Sequence, residues 1–198
     1  MPDCSSIQKS LAWCQGRPQY AGIRRRLYYA AKANIVGWPQ LPRDGQGRPA
    51  GATYDGIFVL ATDKEWQYID ILPEKSQLTS ETQGEYPMQS QLNKLVAVHP
   101  GIEEEATEFA AYIAGNDCVF LVEDMQGLIH VVGHEHFPLK VSVSQDTGQG
   151  PTGNTSTTIT VEATDEVPAP IYEGLLVIED REMTMAPANY TPSSFTQI

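Results

Sequence analysis

Residues 118–163 read CVFLVEDMQGLIHVVGHEHFPLKVSVSQDTGQGPTGNTSTTITVEA, and four β-like segments separated by turns stand out in them. The segments are 118–123, 128–132, 139–143 and 157–163. In the third and fourth the apolar residues alternate, placing Leu139, Val141 and Val143, then Ile159 and Val161, on one face of a sheet. Residues 144–156 between them hold three Gly and a Pro and read as a long flexible loop. Cys118 opens an apolar run and is expected to be buried.

Working upstream, His99-Pro100-Gly101 breaks a strand, and Glu103, Glu104 and Glu105 suit the positive end of a helix. Ile102, Ala106, Phe109 and Ile113 repeat at four, three and four residues, one apolar stripe. Gly115-Asn116 ends it, so a single amphipathic helix over 101–115 is predicted, packed on the sheet. Leu92, Leu95, Val96 and Val98 precede it as a core strand. Residues 74–90 are polar and read as an extended hairpin with no apolar face of its own. The apolar run 57–61, the turn 62–64 and Trp66, Tyr68, Ile69 and Ile71 predict a second hairpin.

Residues 23–33, IRRRLYYAAKA, read as a strand whose Ala-rich end suits a short helix equally. The Pro- and Gly-rich stretch 38–55 reads as an exposed loop. Downstream, Pro168-Ala169-Pro170 leads into a last strand over 171–178. Residues 1–22 form an expected amino-terminal arm and 181–198 a carboxy-terminal tail, leaving one β-rich domain over 23–180. The expected fold is mainly β: a β-sandwich or barrel with one packed amphipathic helix and extended arms and loops.

Composition agrees. In 198 residues, 41% are hydrophobic and 19% charged, too apolar for a disordered chain; 16 Gly and 14 Pro exclude a helical bundle. No apolar run approaches the ~18–20 residues of a membrane span, and a membrane partner is not expected. The start lacks a basic region followed by an apolar one, so a secretory signal is not expected. Cys4, Cys14 and Cys118 are too sparse for a disulfide scaffold and fit no zinc spacing.

Charge is unevenly spread. Residues 1–48 carry eight basic and two acidic residues, a net +6, while the remainder carries five basic and 23 acidic, a net −18. A basic amino-terminal segment and an acidic body attract each other, within one chain or between copies. Arg24, Arg25 and Arg26, with Tyr28 and Tyr29 beside them, are the candidate assembly residues. The same mixture of guanidinium and aromatic groups occurs in nucleic-acid interfaces, but the whole chain has a pI near 4.6 and its acidic body repels a duplex.

Catalytic signatures are missing. There is no Gly-x-Ser-x-Gly elbow and no P-loop, and the Gly-rich 146–153 stretch does not open a helix. His130, His134 and His136, with Glu135 beside them, form a metal-like cluster whose spacing suits surface or hairpin histidines better. No catalytic residue and no cofactor is assigned, and an enzyme is not expected.

The layout resembles the tail tube proteins of long-tailed bacteriophages and the related tubes of contractile injection systems. Gly22-Ile23-Arg24-Arg25-Arg26-Leu27-Tyr28-Tyr29-Ala30, followed by Ile35 and Trp38-Pro39, is similar to openings of that family. Leu121-Val122-Glu123-Asp124, Gly127, Ile129, the 142–153 loop, Thr158-Ile159-Thr160-Val161-Glu162-Ala163 and the closing Pro168-Ala169-Pro170-Ile171-Tyr172 resemble its second half. These stretches cover about half the chain. The resemblance implies a virion structural protein, assembled in the host bacterial cytoplasm. It implies stacked hexameric rings, contacts with other tail components, and strands that join between subunits to line an acidic lumen passing DNA. The alternatives are another β-sandwich phage module, such as a decoration or tail-terminator component, and a metal-dependent enzyme. Rings or tubes in the electron microscope mark the first reading, a small particle that binds a lattice or receptor the second, and a bound transition metal the third.

Overall fold

Apolar side chains leave the strand Cys118–Asp124 on both faces, and the architecture follows from that. Val119 and Leu121 enter one hydrophobic core, while Cys118, Phe120 and Val122 enter another. A strand covered on both sides reads as an unbroken apolar run. The computed structural model describes residue 16 and residues 18–150, 152–178 and 181–184. Most of the expected 1–22 arm, Cys4, Cys14 and residues 185–198 of the expected tail lie outside the described residues.

The strands, in chain order, are β1 (Ile23–Ala31), β2 (Ile35–Gly37), β3 (Val59–Leu60), β4 (Gln67–Asp70), β5 (Gln77–Gln83) and β6 (Ser90–Pro100). The helix α1 (Glu104–Gly115) follows. Then come β7 (Cys118–Asp124), β8 (Ile129–Val132), β9 (Lys140–Asp146), β10 (Ser156–Asp165), β11 (Ile171–Tyr172), β12 (Leu175–Ile178) and β13 (Arg181–Thr184). One antiparallel sheet has the order β11-β8-β7-β1-β4, a second has β5-β6-β10-β9, and β12-β13 and β2-β3 form small ribbons.

The two larger sheets pack face to face as an open sandwich. Leu27, Ile69, Phe120 and Val122 of the first meet Leu95, Ala97, Ile159, Val161 and Ala163 of the second in one core. The helix closes this core through Ala106 and Ile113, both buried, and through half-buried Phe109, whose ring meets Tyr29 edge-on at 5.0 Å. The other core lies outside the first sheet. There Tyr28, Val119, Leu121 and Val131 are covered by Leu41, Tyr54, Phe58 and Trp66 from the 38–66 segment and by Val167, Tyr172 and Leu176.

Several expectations change. The strands expected at 57–61 and 66–71 do not form a hairpin with each other. β3 pairs with β2 and β4 with β1, because the intervening chain wraps across the sheet to cover it. The 38–55 stretch is a cover rather than an exposed loop: Leu41 and Tyr54 are buried, and Gln40 bridges to Asp55 through two backbone hydrogen bonds. The polar hairpin is not self-contained in 74–90, since β5 pairs with the apolar β6 from Gln83 opposite Ser90 to Gln77 opposite Val96.

The helix begins at Glu104, with Glu103 at its N-cap, so Ile102 precedes the helical stripe. Gly101, at a φ of 102° that favours glycine, turns the chain out of β6. The expected strand over 171–178 divides, with Tyr172 in the first sheet and Leu175–Ile178 paired to β13. Residues 181–184 of the expected tail are therefore a strand. The Ala-rich end of β1 becomes a 3-10 turn at Lys32–Asn34.

Candidate functional site

β1 carries its arginine triplet on an irregularity. Ile23 lies opposite Asp124 of β7 but Leu27 lies opposite Val122, so four steps along β1 match two along β7. Such a bulge re-aims side chains. Ile23 and Leu27 both reach the core, while Arg24, Arg25 and Arg26 are all exposed.

Arg24 Nη1 lies 2.7 Å from Glu123 Oε1, and Arg26 Nε lies 3.3 Å from Asp70 Oδ1 directly across the strand pair. The Arg26 guanidinium also covers the Tyr68 ring at 4.0 Å. Arg25 spends its backbone carbonyl on the Ile71 N–H, and its side chain has no partner among the described residues. The triplet, Tyr28, Pro73 and Met125 line an open groove of about 750 Å³ that also contains Asp70 and Glu123. Burial pushes the Glu123 carboxyl up, against the Arg24 charge that holds it down.

The two tyrosines named with the triplet are inside. Tyr28 is buried in the outer core, where burial raises its phenol pKa, and Tyr29 packs among Phe109, Tyr112 and Phe120. A strand with cores on both faces has no free face for either ring.

The attraction read from the charge split is realised within the chain. Besides Arg24 and Arg26, Lys32 pairs with Asp117 at 3.1 Å and Arg43 with Glu166 at 3.0 Å. These are partly exposed pairs between the amino-terminal segment and the body, each stabilising by about 1 kcal/mol or less.

The second sheet offers a different surface. Its inner face is buried along β6 and β10, while its outer face carries Gln77, Thr79 and Glu81 of β5, Leu92, Lys94 and Val96 of β6, Thr158, Thr160 and Glu162 of β10, and Ser142 and Ser144 of β9. Glu162 sits between Lys94 at 3.1 Å and Lys140 at 3.3 Å, and both ammonium groups hold its carboxyl below the usual range. β5 and β9 are the two edges of this sheet. Neither pairs with a further strand among the described residues, and their registers to β6 and β10 run without a bulge. Beyond β5 the hairpin turns through Glu85-Tyr86-Pro87-Met88, where Tyr86 and Met88 are 88% and 87% exposed.

Two buried polar residues escaped the sequence reading. Asn93 is fully buried in β6. Its Oδ1 accepts from Ser80 Oγ at 2.7 Å and from the Ala169 N–H at 2.8 Å, and its Nδ2 donates to the Val167 carbonyl at 3.4 Å. Asn93 thus pins the chain that crosses from β10 to β11. Asp165, 1% exposed, ends β10. Its Oδ1 accepts the Glu166 N–H, its Oδ2 is without a partner among the described residues, and burial pushes its carboxyl up to about 6. The signal was alternation: Asn93 lies two residues before Leu95, and Asp165 two after Ala163, on the inward positions.

The histidines do not converge on one point. His130 in β8 bonds the Ala169 carbonyl through Nδ1 and approaches Asp124 through Nε2, whereas His134 and His136 pack ring to ring at 5.5 Å. Among the described residues no three His, Cys, Asp or Glu side chains are placed to hold a metal ion. Cys118 is buried, and burial raises its thiol pKa to about 11, which leaves it protonated and unreactive at neutral pH. Among the described residues no helix is long and apolar enough to cross a membrane. No protein-family model matches the chain, and neither does a curated protein or a solved structure.

Proposed function

We propose that this chain is a virion structural protein that self-associates edge to edge, the subunit of a phage tail tube built from stacked, hexameric rings. The observation that carries the reading is the β5-β6-β10-β9 sheet, with two regular edges unpaired among the described residues and a largely polar outer face. Unpaired N–H and C=O groups on an edge strand are a template for another strand. Joining β5 of one copy to β9 of the next is a heterologous contact, and repeated rotation closes such contacts into a ring.

The outer face then lines the lumen. Its Thr and Ser hydroxyls resist stacking against a duplex. Glu81, Glu162 and Asp146 outweigh Lys94 and Lys140 in charge, so DNA phosphates find no cationic surface there. The sequence resemblance to tail tube proteins supplies the ring number and the passage of DNA. The proposed location is the virion tail, the proposed partners are further copies and other tail components, and no catalytic role is proposed.

Negative-stain microscopy of the full chain at rising concentration tests this. Rings or tubes are expected for the natural sequence. In a Ser142→Glu/Ser144→Glu variant, carboxylates on the outer face of β9 repel Glu81 of the incoming β5 and are expected to leave single particles with a nearly unchanged melting temperature. A natural chain that stays a single particle at every concentration would overturn the tube reading in favour of a decoration or terminator module.

A further inference from the structure

We propose that the tip of the β5–β6 hairpin of one copy seats in the arginine groove of a second copy. This contact rests on the self-association reading and identifies a second joint, separate from the paired edges.

Three observations carry it. Tyr86 and Met88, two residues apart, both stand almost fully exposed at the tip, where they are free to enter a groove on another copy. The hairpin, residues 76–93, holds Glu81 and Glu85 and no Lys or Arg. The groove holds three guanidinium groups above Tyr28, Pro73 and Met125, and only two carboxylates, Asp70 and Glu123, to oppose them. With Arg24 and Arg26 committed to those carboxylates, Arg25 is the one of the three without a side-chain partner among the described residues and is placed to take an incoming acid.

The complementarity is specific in kind. Glu85 supplies the carboxylate for Arg25, Met88 the apolar contact for Pro73 and Met125, and the Tyr86 ring a face on which a guanidinium stacks. The occupant is not the chain's own tip. Pro73 lies at the groove just before β5, and the seven residues of β5 carry the tip roughly 23 Å away along the strand. The contact is therefore between copies and heterologous, so it propagates instead of stopping at a dimer.

The test uses the full-length chain with a photoreactive benzoylphenylalanine in place of Tyr86, mixed with isotope-labelled chain. Cross-links are expected between copies, onto residues 24–28, 73 or 125. Arg25→Glu and Glu85→Lys are each expected to weaken self-association roughly tenfold at low salt, and the two combined in one chain to recover most of it. Cross-links that fall elsewhere or within one chain, or single reversals that sediment like the natural chain, overturn the proposal. So does a single-stranded DNA oligonucleotide that binds the natural chain but not Arg25→Glu while both self-associate equally, since the groove then reads phosphate. Tubes with cross-links elsewhere sink this joint and spare the tube reading; the expected cross-links without rings or tubes do the reverse.

Discussion

Asp165 is a carboxyl that folding encloses without fully satisfying. It is held by the backbone of Glu166 and Val167, while Oδ2 has no partner among the described residues. Burial lifts its pKa from 3.8 to about 6, so folding takes up a proton between those two pH values. The unfolded state binds fewer protons there, and stability falls as pH rises from about 4 through 6, by at most about 3 kcal/mol. Asp165→Asn removes the charge and keeps the Oδ1 acceptor. The variant is expected to melt higher than the natural chain at pH 7.5, by about 1–2 kcal/mol of stability, and no higher at pH 4. Denaturant unfolding across that range checks it; an unaltered pH slope in the variant would show that another group titrates. Asn93 makes the contrasting case, since both ends of its amide are bonded and it holds the β10–β11 crossing in place.

At the scale of elements, the helix shows how a stripe on paper becomes a contact. Ile113 is buried in the inter-sheet core and Ala106 is buried beside it on the same helix, but Phe109 is half-covered and leans on Tyr29. Phe109→Ala is therefore expected to cost about 2 kcal/mol, below the ~3–5 kcal/mol of a fully buried ring. Chemical unfolding measures this, and a loss under about 0.5 kcal/mol would mean that the helix sits away from the sheet. The helix, β6, β7, β9 and β10 were all legible, because each carries a run or period long enough to be read without its neighbours. The hairpin expected between 57–61 and 66–71 was not. Two short apolar segments joined by a turn look the same whether they pair with each other or with β1 and β2, and pairing is decided across more than 20 residues of chain.

Across the molecule, four ion pairs among the described residues draw the +6 and −18 segments together. Replacing Arg24, Arg25 and Arg26 together with Ser removes two of them and leaves Glu123, whose carboxyl is already raised by burial, without its counter-charge. The triple variant is expected to lose about 1–2 kcal/mol of stability, whereas Arg25→Ser alone loses less than about 0.5 kcal/mol. Melting curves for both variants separate the two paired arginines from Arg25, which has no side-chain partner among the described residues. Equal losses in the two would place Arg25 in the fold's own electrostatics.

Local chemistry in the sequence determined the β class, the single helix, the burial of Cys118 and the charge division, because periodicity and composition act over a few residues at a time. Tertiary structure alone decided that β1 is covered on both faces, which takes Tyr28 and Tyr29 from the surface into two cores. It also decided that the 38–55 stretch is a lid over the first sheet, and that Arg25, alone of three consecutive arginines, has no side-chain partner among the described residues. Those outcomes depend on which distant segments arrive on each face of a strand. A chain with Pro and Gly at its turns fixes that only when its hydrophobic surface is buried as a whole.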